Sequence, residues 1–318
     1  MFFLTFEFIF FEKRFFMKAT KNFLISEKNK MQRLDHFLVS QTTWNKSQCQ
    51  KLIAAKKVLV NQKPTKKNYL LKNQDLITIP TTVFKTPLNI QKPYNLNLEV
   101  VYEDSDLAVI NKPSNLIVHP SLSFEGITLV NALLHRFSSL SNIDTPRPGI
   151  VHRLDKNTTG LMLIAKNDNT SQKLQTAFSQ RTIKKVYWGL IEGFLENEGT
   201  INLPIARNPN DRLKMTVLPN GKEAVTHFKT LKRLNNFSLM QFVLETGRTH
   251  QIRAHLSYLK KPLLGDKLYG SKHYNTDEGQ FLHAKELIFK HPITFQEINL
   301  QAPLPLNFQK LLDKLTNL

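Results

Sequence analysis

Cysteine is almost missing from this chain of 318 residues: Cys49 stands alone. That excludes an intramolecular disulfide framework and a thiolate metal cluster, and it fits a reducing, cytoplasmic setting. Glycine is sparse at 11 residues, and neither G-x-x-x-x-G-K-[ST] nor G-x-G-x-x-G occurs, so the two common phosphate-cradling loops are absent. There is no G-x-S-x-G nucleophile elbow and no H-E-x-x-H zinc motif. His250 and His255 lie five apart, off a shared helical face, and each is expected to be a structural histidine rather than a ligand. No uncharged run approaches the roughly 18 residues that span a bilayer, so no membrane segment is expected. What remains is chemistry without a metal or an organic cofactor.

Acidic residues are also few. Against 44 lysines and arginines stand 25 aspartates and glutamates, a formal charge of +19. Such an excess favours a polyanionic partner, nucleic acid before an anionic membrane, over a merely lysine-rich composition. The opening "MFFLTFEFIFFEKRFFMKAT" is aromatic but broken by Glu7 and Glu12, and it lacks the features of a signal peptide. With Met17 and Met31 as alternative starts, residues 1–30 are expected to be a disordered extension or a mis-assigned start.

Regular patterning begins near Gln32. Leu34, Phe37 and Leu38 share one helical face, "NKSQCQKLIAAKK" reads as a second helix, and "VLVNQKP" and "LITIP" read as strands. Residues 31–80 thus form a small helix–helix–sheet module. From Met31 to Lys92, Arg33 and ten lysines face only Asp35 and Asp75. No glutamate at helical spacing compensates Lys51, Lys56 and Lys57, so these and Arg33 are candidate phosphate contacts. "RLDHFL", "KKVLVNQKP" and "NQDLITI" resemble the S-four-type RNA-binding domain. Residues 81–95, with two prolines directly after Pro80, read as a linker. Residues 96–318 read as a larger α+β domain with a mixed, mostly antiparallel sheet, because strands come in groups with interspersed helices. "TLVNALLHRF" is an amphipathic helix with Leu129, Ala132, Leu133 and Phe137 inward, and "NTSQKLQTAFSQ" a helix capped by Asn169 or Thr170.

One loop carries unusual chemistry. "HRLDKNTTGL", His152 to Leu161, crowds cations, a carboxylate, an amide and hydroxyls before the apolar run "LMLIA". Alone it reads as an Asx turn, with Asp155 capping Asn157 or Thr158 and Gly160 supplying a permissive angle, or as a mount for a reactive carboxylate. The surrounding "RPGIVHRLDKNTTGLMLIAK", with "KKVYWGLIEG", "GKEAVTHF", "LETGRTHQIRAHL", "PLLGDKLYG" and "QFLHAKELIFKHP" in that order, resembles the RluA family of pseudouridine synthases. The resemblance runs from Met31 to the late strand.

That resemblance implies an isomerase that breaks the bond from uracil nitrogen to ribose, turns the base and rejoins it through carbon. One carboxylate suffices, unlike the usual pair of glycoside hydrolysis. Asp155 matches the family's catalytic aspartate, Arg248 the arginine paired with it, and Tyr187 the tyrosine stacked on the flipped base. Arg153 matches the arginine that fills the space the uridine vacates. No metal or cofactor is implied. The expected partner is large-subunit ribosomal RNA, free or in a pre-ribosomal particle, since "LVNALLH" and "GKEAVTHF" are most similar to the subgroup modifying its helix 69. A monomer is expected. The rival readings are a non-catalytic RNA-binding assembly factor on the same scaffold, a nucleosidase, and a sister synthase acting on other rRNA or tRNA uridines.

Overall fold

The computed structural model describes residues 20–42, 44, 46–80, 92–119, 124, 126–143, 147–271 and 278–317. The chain divides into two compact units, Met1–Ile90 and Gln91–Leu318.

In the first unit β1 (Thr20–Leu24) is followed by α1 (Leu34–Gln41) and α2 (Lys46–Ala54), then by β2 (Leu59–Val60), β3 (Lys63–Pro64) and β4 (Leu76–Pro80). The strands form one antiparallel sheet in the order β1–β4–β2–β3. Leu34, Phe37 and Leu38 turn the inner face of α1 onto Cys49, Leu52, Ile53, Ile77 and Ile79. Burial of the lone thiol pushes its pKa up. The extension expected over residues 1–30 is corrected for 20–30, while residues 1–19 lie outside the described part. β1 runs antiparallel to β4 from Thr20 opposite Pro80 to Leu24 opposite Leu76. Ile25 is buried beyond it and exchanges two backbone hydrogen bonds with the Gln74–Asp75 turn. The strand belongs here because β4 would otherwise present an unpaired edge.

The second unit carries β5 (Glu99–Glu103), β6 (Leu107–Lys112), α3 (Leu129–Arg136), β7 (Thr159–Ala165), α4 (Asp168–Ser179), β8 (Lys184–Glu192) and β9 (Glu198–Asn202). There follow the hairpin β10 (Ile205–Arg207) and β11 (Met215–Val217), then β12 (Val225–Leu234), β13 (Phe237–Leu244), α5 (Gln251–Tyr258), β14 (Leu282–Lys290), β15 (Glu297–Gln301) and α6 (Leu306–Thr316). Among the described residues the main sheet has nine strands in the order β5–β6–β7–β14–β8–β13–β12–β9, with β15 beside β14. Among the described strands only β7 and β14 pair in parallel, and every other neighbour is antiparallel. The mixed, mostly antiparallel α+β architecture expected from the strand grouping is therefore present.

The run "LMLIA" explains the centre of this unit. Every residue of β7 is buried, so the strand is covered on both faces, and alternation sorts its side chains between two cores. Met162 and Ile164 join Leu129, Ala132, Leu133 and Phe137, while Leu161, Leu163 and Ala165 join Leu174. Helix α4 is capped two to three residues earlier than expected: the Asn167 side chain accepts from the Thr170 amide. Residues 92–95, placed in the linker from sequence, pack on α3 instead. The Lys92 carbonyl accepts from Asn131 Nδ2, and the Tyr94 amide donates to the Asn131 carbonyl. Residues 81–91 lie outside the described part.

Candidate active site

The chain enters β7 through a turn closed by a bond from the Thr158 amide to the Asp155 carbonyl. The Asx-turn reading of Asp155 fails, because the backbone alone makes that turn and the carboxylate points elsewhere. Gly160, at φ +106°, follows, and a side chain there would run into the Ala284 backbone of the neighbouring β14. The close parallel approach of β7 and β14 therefore requires glycine.

Asp155 Oδ2 accepts from Arg253 Nη1 at 2.9 Å, and its side chain keeps 16% of its surface exposed. This corrects the expected partner. Arg248 sits half-buried in the β13–α5 loop and spends its Nε on the Glu223 carbonyl at 2.8 Å. Arg253 lies on the buried face of α5 beside Ile252 and Leu256. Its Nε and Nη2 bind both oxygens of Asp266, at 2.7 and 2.9 Å. Burial pushes the guanidinium pKa down, but the hydrogen bond to Asp266 and the charge of Asp155 more than reverse that and hold it above its ordinary value. Asp266 Oδ1 also accepts the Leu268 and Tyr269 amides, so this second carboxylate is fully satisfied. One arginine thus bridges a saturated carboxylate and a half-used one.

Asp155 Oδ1 takes no hydrogen bond from the described residues and faces an open cleft of about 550 Å³, mouth included, lined by Arg153, Tyr187, Arg248, His250 and Arg253. Tyr187 comes from β8, between Phe242 and Ala284 on the flanking strands. Burial, and then the Asp155 charge, push its phenol pKa far up, so it stays a neutral donor. Arg153 is exposed and lines the cleft. Four of the residues singled out from sequence therefore line one cleft: Asp155, Tyr187, Arg153 and Arg248.

Two buried polar residues hold the loops. Lys112 ends β6 with no exposed surface, and its Nζ donates to the carbonyls of Pro113, Leu116 and Lys156 at 2.7, 2.9 and 3.0 Å. Burial pushes this ammonium down to about 7, against the pull of Asp155. Three acceptors for three protons match the charged form, which fastens the residue following Asp155. Gln251 accepts from Thr246 and the Arg248 amide and donates to the Val225 carbonyl and Thr226, which sets the loop that carries Arg248 and His250.

The two histidines part company. His255 is saturated by Thr226 and the Leu203 carbonyl, as a structural histidine should be. His250, assigned the same role from sequence, lines the cleft instead, with Nε2 3.8 Å from Asp155 Oδ1. Sequence reading passed over Arg253, Asp266, Lys112 and Tyr269 as well. The one signal available was an arginine set among apolar residues in "QIRAHL", since a buried arginine needs a carboxylate.

Among the described residues Asp104, Asp106 and His291 approach closely enough to hold a cation. His291 Nδ1 accepts the Ile293 and Thr294 amides, so its proton sits on Nε2, facing Asp104 Oδ2 at 3.0 Å. A protonated nitrogen is no ligand, and the cluster reads as a structural clip.

In the first unit Arg33 is committed to Asp35, with Nε and Nη2 each 3.0 Å from a carboxylate oxygen. Its side chain keeps 40% of its surface exposed beside that pairing. Lys51, Lys56 and Lys57 are exposed.

Residues 106–258 match the RNA pseudouridylate synthase family and residues 32–77 the S4 domain. An RNA pseudouridine synthase of Bacillus subtilis is 40% identical over 293 residues, covering 91% of this chain and 96% of its own. The ribosomal large subunit pseudouridine synthase D of Haemophilus ducreyi is 40% identical over 237 residues, 70% of this chain and 72% of its own. Among solved structures, human RNA pseudouridylate synthase domain containing 4 superposes with a TM-score of 0.54 at 27% identity, over 68% of this chain and 92% of that one.

Proposed function

Because the chain belongs to the RNA pseudouridylate synthase family and is an isomerase of uridines in RNA, we propose that its substrate is large-subunit ribosomal RNA and that Asp155 carries the reaction. The observation that bears the reading is the half-used carboxylate: Oδ2 is held by Arg253, and Oδ1 is left facing the cleft. The named activity of the Haemophilus relative supports the choice of RNA.

The target uridine leaves its stack, at a cost of about a few kcal/mol, and enters the cleft. Arg153, at the mouth, fills the gap left in the RNA. Tyr187 forms the wall against which the base stacks. Oδ1 then acts on the sugar, by adding to the anomeric carbon or by taking the adjacent ribose proton. The bond from the anomeric carbon to N1 breaks, the base turns, and a bond from that carbon to C5 forms as its ester to Oδ1 breaks or the ribose proton returns. The C5 proton is lost and N1 gains one, so the composition is unchanged. Arg253 supplies the counter-charge throughout and Asp266 prevents it from moving. Arg248 contacts the backbone of the RNA.

The first unit supplies affinity through Lys51, Lys56 and Lys57, and the protein acts as a cytoplasmic monomer. Pseudouridine mapping across ribosomal RNA from cells lacking this protein tests the reading. Loss of defined large-subunit positions, restored by the wild-type gene and not by D155N, is expected. An unchanged map refutes the substrate.

A further inference from the structure

We propose that His250 is a further catalytic residue, donating a hydrogen bond from Nε2 to the 2-oxo group of uracil as the base leaves the sugar. The inference rests on Asp155 being the reacting carboxylate.

The hydrogen-bond pattern assigns the proton. Tyr269 hydroxyl accepts from the Met215 amide at 2.6 Å and lies 3.0 Å from His250 Nδ1. No other acceptor for the phenol proton exists among the described residues, so that proton goes to Nδ1. A neutral imidazole so engaged carries its own proton on Nε2. The opposite tautomer would leave the phenol proton unused and turn a lone pair on Nε2 toward the Asp155 carboxylate. Both ends of the ring therefore select the same form. Burial keeps the imidazole neutral against the pull of Asp155.

The backbone aims this donor. His250 caps α5 at φ 55° and ψ 25°, in the left-handed region that few non-glycine residues adopt. That conformation directs the ring off the helix axis and into the cleft, where Tyr269 meets it edge-on with ring centres 5.6 Å apart. Arg253 in turn lies over Tyr269, 5.0 Å from the ring centre. Donor and reacting oxygen are thus fixed by one assembly.

At 3.8 Å the gap from Nε2 to Asp155 Oδ1 is too long for a hydrogen bond and wide enough for both to address one nucleotide. When the carbon–nitrogen bond breaks, its electron pair spreads over the uracil ring and its oxygens. The 2-oxo group is the base oxygen nearest the sugar carbon on which Oδ1 acts. A neutral donor there stabilises charge that exists only after the bond has begun to break, so its removal should lower kcat rather than raise KM. No proton need transfer.

The test is a comparison of H250N with H250Q on saturating ribosomal RNA. Asparagine accepts the left-handed backbone but falls short of the Nε2 position; glutamine reaches it with an N–H. H250N should lose about 10²–10³-fold in kcat with KM little changed, while H250Q stays within about 10-fold of wild type. Equal turnover of the two variants, whether high or low, overturns the proposal, as does a loss confined to KM. Should H250N melt well below wild type, Y269F carries the test. Freeing the tautomer should lower kcat by about 10-fold, and an unchanged kcat refutes the role. Wild type that forms no pseudouridine on this RNA would sink the substrate reading instead, so the two failures are distinct.

Discussion

Each unit holds a carboxylate clamped by an arginine, and the two clamps do opposite things. In the first, Asp35 is fully buried and both oxygens are spent, Oδ1 on Arg33 Nε and Oδ2 on Arg33 Nη2 and Gln50. In the second, Arg253 gives two of its donors to Asp266 and only one to Asp155, whose other oxygen faces the cleft. A saturated carboxylate has nothing left to react with and contributes stability. A half-saturated one retains a lone pair aimed at a cavity, in a position a neighbouring cation keeps ordered. Counting the occupied oxygens separates a structural clamp from a reactive one.

The largest effect should come from the free oxygen. D155N is expected to lower turnover by at least about 10⁴-fold while leaving the melting temperature close to wild type. D35N should leave saturated turnover unchanged. If D155N kept measurable turnover near wild type, the contrast between the clamps would collapse.

Breaking the second clamp at its arginine mixes both roles. R253M strands two carboxylates in a buried site and should cost about 3–5 kcal/mol of stability as well as turnover. The double variant R253M/D266L removes one of those charges and should recover part of the stability, by chemical denaturation, without recovering turnover. Recovery of both would show that Arg253 only packs.

The first clamp should be visible in acid. Burial pushes Asp35 up, but the Arg33 and Gln50 hydrogen bonds outweigh it and hold the group at about 2, below its ordinary 3.8. The folded state therefore binds this proton less readily than the unfolded chain. The stabilisation is complete above pH 3.8 and is lost as pH falls through 2; it amounts to about 2 kcal/mol. Hydrogen exchange in α1 should show this slope in wild type and a flat response in D35N. A slope that persists in D35N would assign it elsewhere.

The smallest effects belong to the exposed lysines. Replacing Lys51, Lys56 and Lys57 by alanine should raise KM about 10-fold and reduce the salt slope of RNA binding by about 2, with kcat unchanged. A fall in kcat at unchanged KM would mean that the first unit takes part in more than binding.

Much of the architecture was legible. Alternating segments announced an antiparallel sheet, the unbroken "LMLIA" a buried strand, and Leu34, Phe37 and Leu38 a helix face. Other features were hidden for identifiable reasons. β1 hid behind an aromatic run that carries no alternation. Arg33 read as a cation free to meet RNA, and Arg253 drew no reading at all, because spacing alone does not reveal which carboxylate folds onto an arginine. For Arg33 that partner lies two residues away, across a helix start; for Asp155 and Arg253 it lies 98 positions along the chain.

Local patterning by itself determined the α+β class, the basic small unit and the loop bearing Asp155, since these depend on composition and short-range spacing. Which arginine serves the carboxylate was decided by the tertiary structure alone. Arg248 and Arg253 stand five apart in "GRTHQIR", and the resemblance singled out Arg248 alone. The left-handed turn at His250 starts α5 between them, so Arg253 falls on the buried helix face opposite Asp266 while Arg248 stays in the loop. The same turn brings His250 to the free oxygen of Asp155. A backbone reversal of one residue, supported by Gln251 and Tyr269, thus sorts three neighbouring cationic or polar side chains into distinct roles.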